Sequence, residues 1–261
     1  MVAGGAAGFS SAAVPNAPSD LVCIIHQPVP YPDAWILQTR LHRERIQGQR
    51  GDTVLVLEHP PVYTVGRSAQ ASHWGGSEDR LRAQGADVQR VNRGGSVTYH
   101  GPGQIVVYPI LQVTRHATGP RQLVWLLEDI IIRVLGRWHM TGHRQDNKPG
   151  IWIMAATLPH KIASIGIRIE RGVTMHGFAL NVDMDLSPFG HIRPCGSADC
   201  PITSMAATLR RPTPVERVKR DVASCVAEVF RQPWRTLEKD AIIDISALDP
   251  SADAQRMYAR I

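Results

Sequence analysis

Cysteine is scarce in this 261-residue sequence and occurs only as Cys23, Cys195, Cys200 and Cys225. Four thiols so unevenly placed make no disulfide framework, and the Cys195/Cys200 pair has neither zinc-ribbon nor C-x-x-C redox spacing. Long apolar runs are also missing. The most apolar stretch, 123–135, is broken by Glu128, Asp129 and Arg133, well short of the roughly 18 consecutive apolar residues of a membrane span. No lysine or arginine precedes Arg40, so the N-terminal region has neither the basic start of a secretory signal nor the arginines of a transit peptide. A cytoplasmic protein with reduced thiols is expected. The sequence contains no Gly-Lys-Ser/Thr phosphate loop and no G-x-G-x-x-G fingerprint, which removes direct support for ATP or NAD. Neither a metal site nor a cofactor is indicated.

What is present is core material with a basic surplus. Hydrophobic residues at 43% against 20% charged exclude a disordered, solvating chain. The 29 Lys+Arg against 23 Asp+Glu give +6, with a pI near 9.5, and favour an acidic partner. Without aromatic interleaving or a known motif, nucleic acid is not that partner.

Residues 1–20 are rich in Gly, Ala, Ser and Pro, carry Asp20 as their one charge, and are expected to form a flexible lead. Apolar runs predict strands at 21–25 and 53–57, the second stopped by Pro60 and Pro61. Helical spacing predicts helices over 33–46, 123–138 and 214–230. In the last, Thr213 stands as N-cap, Pro214 at the first position and Glu216 as capping-box partner. Cys23 and Cys225 fall on apolar faces and read as small core residues. Strands are predicted at 87–91 and 104–110, flanking a glycine-rich loop, and at 151–154, 161–169 and 173–182 as a meander. The fold class is therefore α+β: a single domain with a mixed β-sheet and flanking helices that cover mainly one face. The domain spans 21–232, after the lead at 1–20 and before a C-terminal extension at 233–261.

Two segments could carry chemistry. In 93–104, Arg-Gly-Gly-Ser-Val-Thr-Tyr-His-Gly-Pro-Gly-Gln, the four glycines and the proline cannot sit inside a regular element. The segment is either a tight connection between strands or a loop offering backbone N–H groups to a ligand, with Arg93 and His100 at its margins. Pro194-Cys195-Gly196 sets a thiol in a turn, and Cys200 is a weaker copy. A nucleophilic cysteine needs a base or cation beside it. His100, His176 and His191 are candidates, none at diagnostic spacing. Lys161 is another: strand alternation aims it with small residues at one face, where an apolar surface would lower its pKa.

Five blocks then match a known family. They are 58–67 (EHPPVYTVGR), 93–104, 161–166, 173–183 (VTMHGFALNVD), and 186–189 with Pro194-Cys195-Gly196. In this order, over roughly 21–230, they resemble the lipoyl(octanoyl) transferases. The resemblance implies transfer of an octanoyl group from acyl carrier protein to a lysine of lipoyl domains. Acceptors would be the 2-oxoacid dehydrogenase complexes and the glycine cleavage H protein. It also implies a fold similar to biotin and lipoate ligase catalytic domains, without a cofactor, metal, nucleic acid or membrane. Carried over by position, Cys195 is the acyl-thioester nucleophile and Lys161 its proton-handling partner. The acyl pocket is lined by Arg93, Gly94, Gly95, Ser96, Val97, Thr98, Tyr99 and His100, by Ser164, Ile165 and Gly166, and by Gly177, Phe178 and Ala179. Met175 stands where an aromatic residue is expected. Arg210, Arg211, Arg217, Lys219 and Arg220 form a candidate face for the acidic carrier. The competing readings are an ATP-dependent ligase of lipoate or biotin type and a non-catalytic homologue that binds carrier or lipoyl domains.

Overall fold

The segment Thr53–Leu57 is apolar at all but its first position and has no side to offer to water. All five of its residues are buried in the computed structural model, which describes residues 20–155, 158–194, 200–231 and 234–239. In chain order the first elements are β1 (Leu21–Ile25), α1 (Tyr31–Ile46), β2 (Thr53–Leu57), β3 (Val62–Val65), α2 (Glu78–Arg82), β4 (Asp87–Arg90), β5 (Val97–His100) and β6 (Gln104–Ile110). There follow α3 (Val113–His116), α4 (Pro120–Arg137), β7 (Gly150–Ala155), β8 (Leu158–Glu170), β9 (Val173–Asn181), α5 (Met205–Leu209), α6 (Val215–Phe230) and β10 (Arg235–Lys239).

Seven strands make one mixed sheet in the order β10-β1-β2-β6-β9-β8-β7, with β1 parallel to β2 and β10 and the other pairs antiparallel. The expected meander is β7-β8-β9. Alternation sorts β2 between two layers. Val54 and Val56 join Val22, Ile24, Ile105 and Val107 in the core packed with α4 and α6, while Leu55 and Leu57 join Val106, Tyr108 and Ala179 in the core under α1. The sheet is thus covered on both faces, not mainly on one, because continuous apolar strands such as β2 and β6 need two apolar layers.

A second, three-stranded sheet, β4-β3-β5, has its own core of Tyr63, Trp74, Leu81, Tyr99 and Phe189. The glycine-rich segment therefore contains a strand after all: its glycines and proline sit at the ends, leaving four pairing residues between them. At the other end of the chain, β10 lies in the segment read as an extension and adds an edge strand to the large sheet. Residues 1–19 and 240–261 lie outside the described residues.

The start of α6 differs from the predicted capping box. Its N-cap is Pro214, with no side-chain cap. The Thr213 N–H donates to Asp183 (2.9 Å), and Glu216 pairs with Lys219 (2.7 Å). Lys219 is fully buried and also pairs with Glu58 at 2.9 Å. A buried ammonium claims carboxylates more strongly than an exposed amide does. Lys219 thus drops out of the candidate carrier face. Arg220 clasps Glu238, and Arg217 stacks on Trp138.

Candidate active site

Two cross-strand pairs, Ser164 with Ala179 and Gly166 with Gly177, strip the β8/β9 surface of bulk. Above it a cavity of about 680 Å³ opens between the large sheet and the 91–96 loop. The bare surface is what lets that loop come close. A Cβ on Gly166 would lie 2.7 Å from the Gly94 carbonyl oxygen, and the Gly94 N–H donates to the Ile167 carbonyl (3.2 Å). Arg93, 8% exposed, braces the loop from beneath. Its guanidinium donates to Thr64 O (2.6 Å), Thr64 Oγ1 (2.9 Å) and Gly94 O (3.0 Å).

Positions 93–98 and 100 line this cavity, as do 164–166 and 177–179. Tyr99 does not. Alternation along β5 turns it into the small sheet's core between Tyr63 and Phe189. Met175 is buried with Tyr31, Trp35, Val62 and Val91.

Lys161 also lines the cavity, for a reason that alternation does not supply. Strict alternation would group it with Ala163 and Ile165, whose side chains belong to the core under α4 and α6. The β7/β8 register slips here: Ile151 opposes Ala163 but Trp152 opposes Lys161, leaving Ile162 as an extra residue. This β-bulge returns Lys161 to the face of Ser164 and Gly166. Lys161 is 4% exposed, donates from Nζ to Pro149 O (2.9 Å) and lies 5.2 Å from the centroid of the Trp152 ring. Its backbone is held by Pro201 and Thr203 (2.7 and 2.9 Å).

Gly150 makes room for this lysine. With φ at +121°, a Cβ there would meet Ala163 O at 2.3 Å and Lys161 Cε at 2.8 Å. Gly150→Ala is expected to cost about 2 kcal/mol or more, read as a lowered denaturant midpoint. A wild-type midpoint would show that the bulge tolerates a methyl group.

Cys195 lies outside the described residues, 195–199 being among those not described. Pro194, the residue before it, lines the cavity. Cys200 is buried and is not on this wall. Burial pushes the Cys225 thiol up to about 11 and raises that of Cys23, in keeping with core roles.

Of the predicted histidines, His191 does not line the cavity, while His100 and His176 do. Both are buried and neutral. Desolvation first, with neighbouring charges including Arg93 adding to it, lowers each to about 3. His100 donates from Nδ1 to Gln104 (2.7 Å) and His176 from Nε2 to Asn92 (2.7 Å). Another cavity-lining histidine, His73, escaped the sequence reading because the 68–77 segment shows neither periodicity nor motif. It ends a single 3-10 turn (Ala71–His73) and meets Ser96 Oγ at 2.7 Å. Among the described residues no group of His, Cys, Asp and Glu is arranged to hold a metal ion, and no helix is long and apolar enough to cross a membrane.

Comparison with known proteins adds a family context. The family described as Lipoyl protein ligase A/B catalytic domain matches residues 30–227. An octanoyltransferase of Rubrobacter xylanophilus is 43% identical, over 78% of this chain and 90% of that one. An octanoyltransferase of Thermobifida fusca is 47% identical, over 70% and 77%. Among solved structures, a lipoate-protein ligase A bound with ATP superposes with a TM-score of 0.67 at 14% identity, covering 85% of this chain and 89% of that one. A bipartite lipoate protein ligase of Thermoplasma acidophilum gives 0.67 at 10% identity, covering 85% and 88%. At such identities the likeness is one of fold.

Proposed function

Since the chain belongs to the octanoyltransferase family and is an acyltransferase, we propose that it moves an octanoyl group from acyl carrier protein to a lysine of a lipoyl domain through a thioester on Cys195. One observation carries the reading: the buried Lys161 amine and Pro194, the residue bonded to Cys195, line a single cavity whose floor is small-residue sheet.

The chemistry follows from the residue types. An acyl thioester is open to sulfur attack, and exchange between thioesters costs little free energy. An ammonium at Lys161 favours the Cys195 thiolate. The thiolate attacks the carrier thioester, the carbon–sulfur bond to the carrier breaks, and Lys161 gives its proton to the departing thiolate, which leaves as the carrier thiol. The neutral amine then accepts a proton from the incoming substrate nitrogen. Backbone N–H groups of the glycine loop are suited to the developing oxyanion. An eight-carbon tail in the cavity contributes about 0.8 kcal/mol per buried methylene. The thioester is already activated, so the transfer calls for no ATP, and acceptor lipoyl domains and the acidic carrier suit the basic charge balance.

Incubation with octanoyl-carrier followed by mass measurement tests this. Wild type should gain one octanoyl group and Cys195→Ser none. Transfer of free octanoate only with ATP would favour a ligase, and neither adduct nor transfer would favour a binding protein.

A further inference from the structure

An acceptor lysine arrives as an ammonium, its ordinary pKa being about 10.4. Making the amide removes two protons, one to uncover the lone pair and one from the tetrahedral adduct. Lys161, left neutral by the first step, takes one of them. The balance over a turnover is carrier thioester plus ammonium giving carrier thiol, amide and one free proton. That proton needs a second base with a path to water.

His73 is placed to supply it. Its Nδ1 lies 2.7 Å from Ser96 Oγ and 3.3 Å from the Gln70 backbone nitrogen. An amide N–H only donates, so Nδ1 bears the lone pair, the Ser96 hydroxyl donates to it, and the ring proton sits on Nε2. Ser96 and His73 share the cavity wall with Lys161 and Pro194, and the His73 carbonyl accepts the Arg193 N–H (2.6 Å), two residues before Cys195. His73 is half-buried and can pass a proton to solvent, whereas His100 and His176 are buried, at 6% and 1% exposure.

On the reading that octanoyl passes through Cys195, we propose that Ser96 and His73 form a proton relay for the acceptor half-reaction. As the new carbon–nitrogen bond forms, the nitrogen gives a proton to Ser96 Oγ and the Ser96 proton moves to His73 Nδ1. The carbon–sulfur bond then breaks with its electron pair returning to Cys195, and the imidazolium discharges to water. His73 acts only through Ser96, as a positioning residue and proton store.

The test splits the reaction. The full chain is loaded with octanoyl-carrier, the acyl-enzyme is isolated, and its decay on adding a lipoyl domain is timed. His73→Ala and Ser96→Ala each alter the cavity wall, so loading is read beside transfer: transfer should slow about 100-fold, at least tenfold more than loading does. Added imidazole should restore much of the rate to His73→Ala but not to Ser96→Ala. His73→Asn, which keeps a hydrogen-bond acceptor for Ser96 without a basic lone pair, should stay slow. Recovery in His73→Asn, equal losses in loading and transfer, or transfer within threefold of wild type in the alanine variants would each overturn the relay. Failure of wild type to form any acyl-enzyme would instead remove the reading beneath it.

Discussion

Replacing Lys161 with alanine is expected to slow octanoyl transfer about 10²- to 10⁴-fold, the range of a lost general acid–base. The side chain is buried on a cavity wall, tethered through Nζ to Pro149 O. On the proposed mechanism, its loss deprives the Cys195 thiolate of a counter-charge and the departing carrier thiolate of a proton donor. Lys161→Arg separates the two duties. A guanidinium keeps the charge but does not release a proton near neutral pH. Loading of the cysteine should therefore suffer less in the arginine variant than in the alanine variant, with turnover poor in both. Because the lysine is buried, Lys161→Met serves as a fold control of similar shape, and all three should keep the wild-type circular dichroism. Turnover within threefold of wild type in the alanine variant would take Lys161 out of the mechanism.

The second large effect is on acid stability. His59, His100 and His176 are all neutral in the folded protein, held by desolvation at about 4, 3 and 3. In the unfolded chain each titrates near 6.5. As pH falls from about 6.5 toward 4, the unfolded state takes up protons that the folded state refuses, so stability falls with pH. Above about 6.5 these groups contribute no pH dependence. The slope approaches about 1.4 kcal/mol per pH unit for each histidine, or about 4 for the three together near pH 5. Hydrogen bonds add to the grip: His59 donates to Val29 O (2.6 Å) and accepts from the Tyr108 hydroxyl (2.7 Å), leaving no room for a second ring proton. Denaturant midpoints should drop steeply between pH 6.5 and 5, and His59→Gln should flatten the curve at some cost at pH 7.5. A midpoint independent of pH over that interval would mean that the three imidazoles are reached by water.

Much of the frame was legible in the chain because apolar periodicity is a local property. The helices at 31–46, 120–137 and 215–230 and the strands at 21–25, 53–57, 104–110 and 173–181 lie within a few residues of their predicted bounds. The glycine loop and most of the predicted lining residues meet at one cavity because motif blocks fix residue types at set positions. What stayed hidden depends on partners far away in sequence. A short strand such as β5, walled by glycine and proline, gains its identity only from pairing with β3. Lys219 looks like one more charge in a basic run until Glu58, far upstream, draws it inside. His73 carries no pattern of its own, and its contact with Ser96 exists only in the folded chain.

By itself, then, the order of residues determined the α+β class, the family and the residue types of the site, since each rests on composition, local periodicity or contiguous motifs. Only the tertiary structure decided which face Lys161 takes. One extra residue at Ile162 reverses the strand's parity, and the pairing with β7 that creates the bulge is a contact between strands that no local pattern encodes.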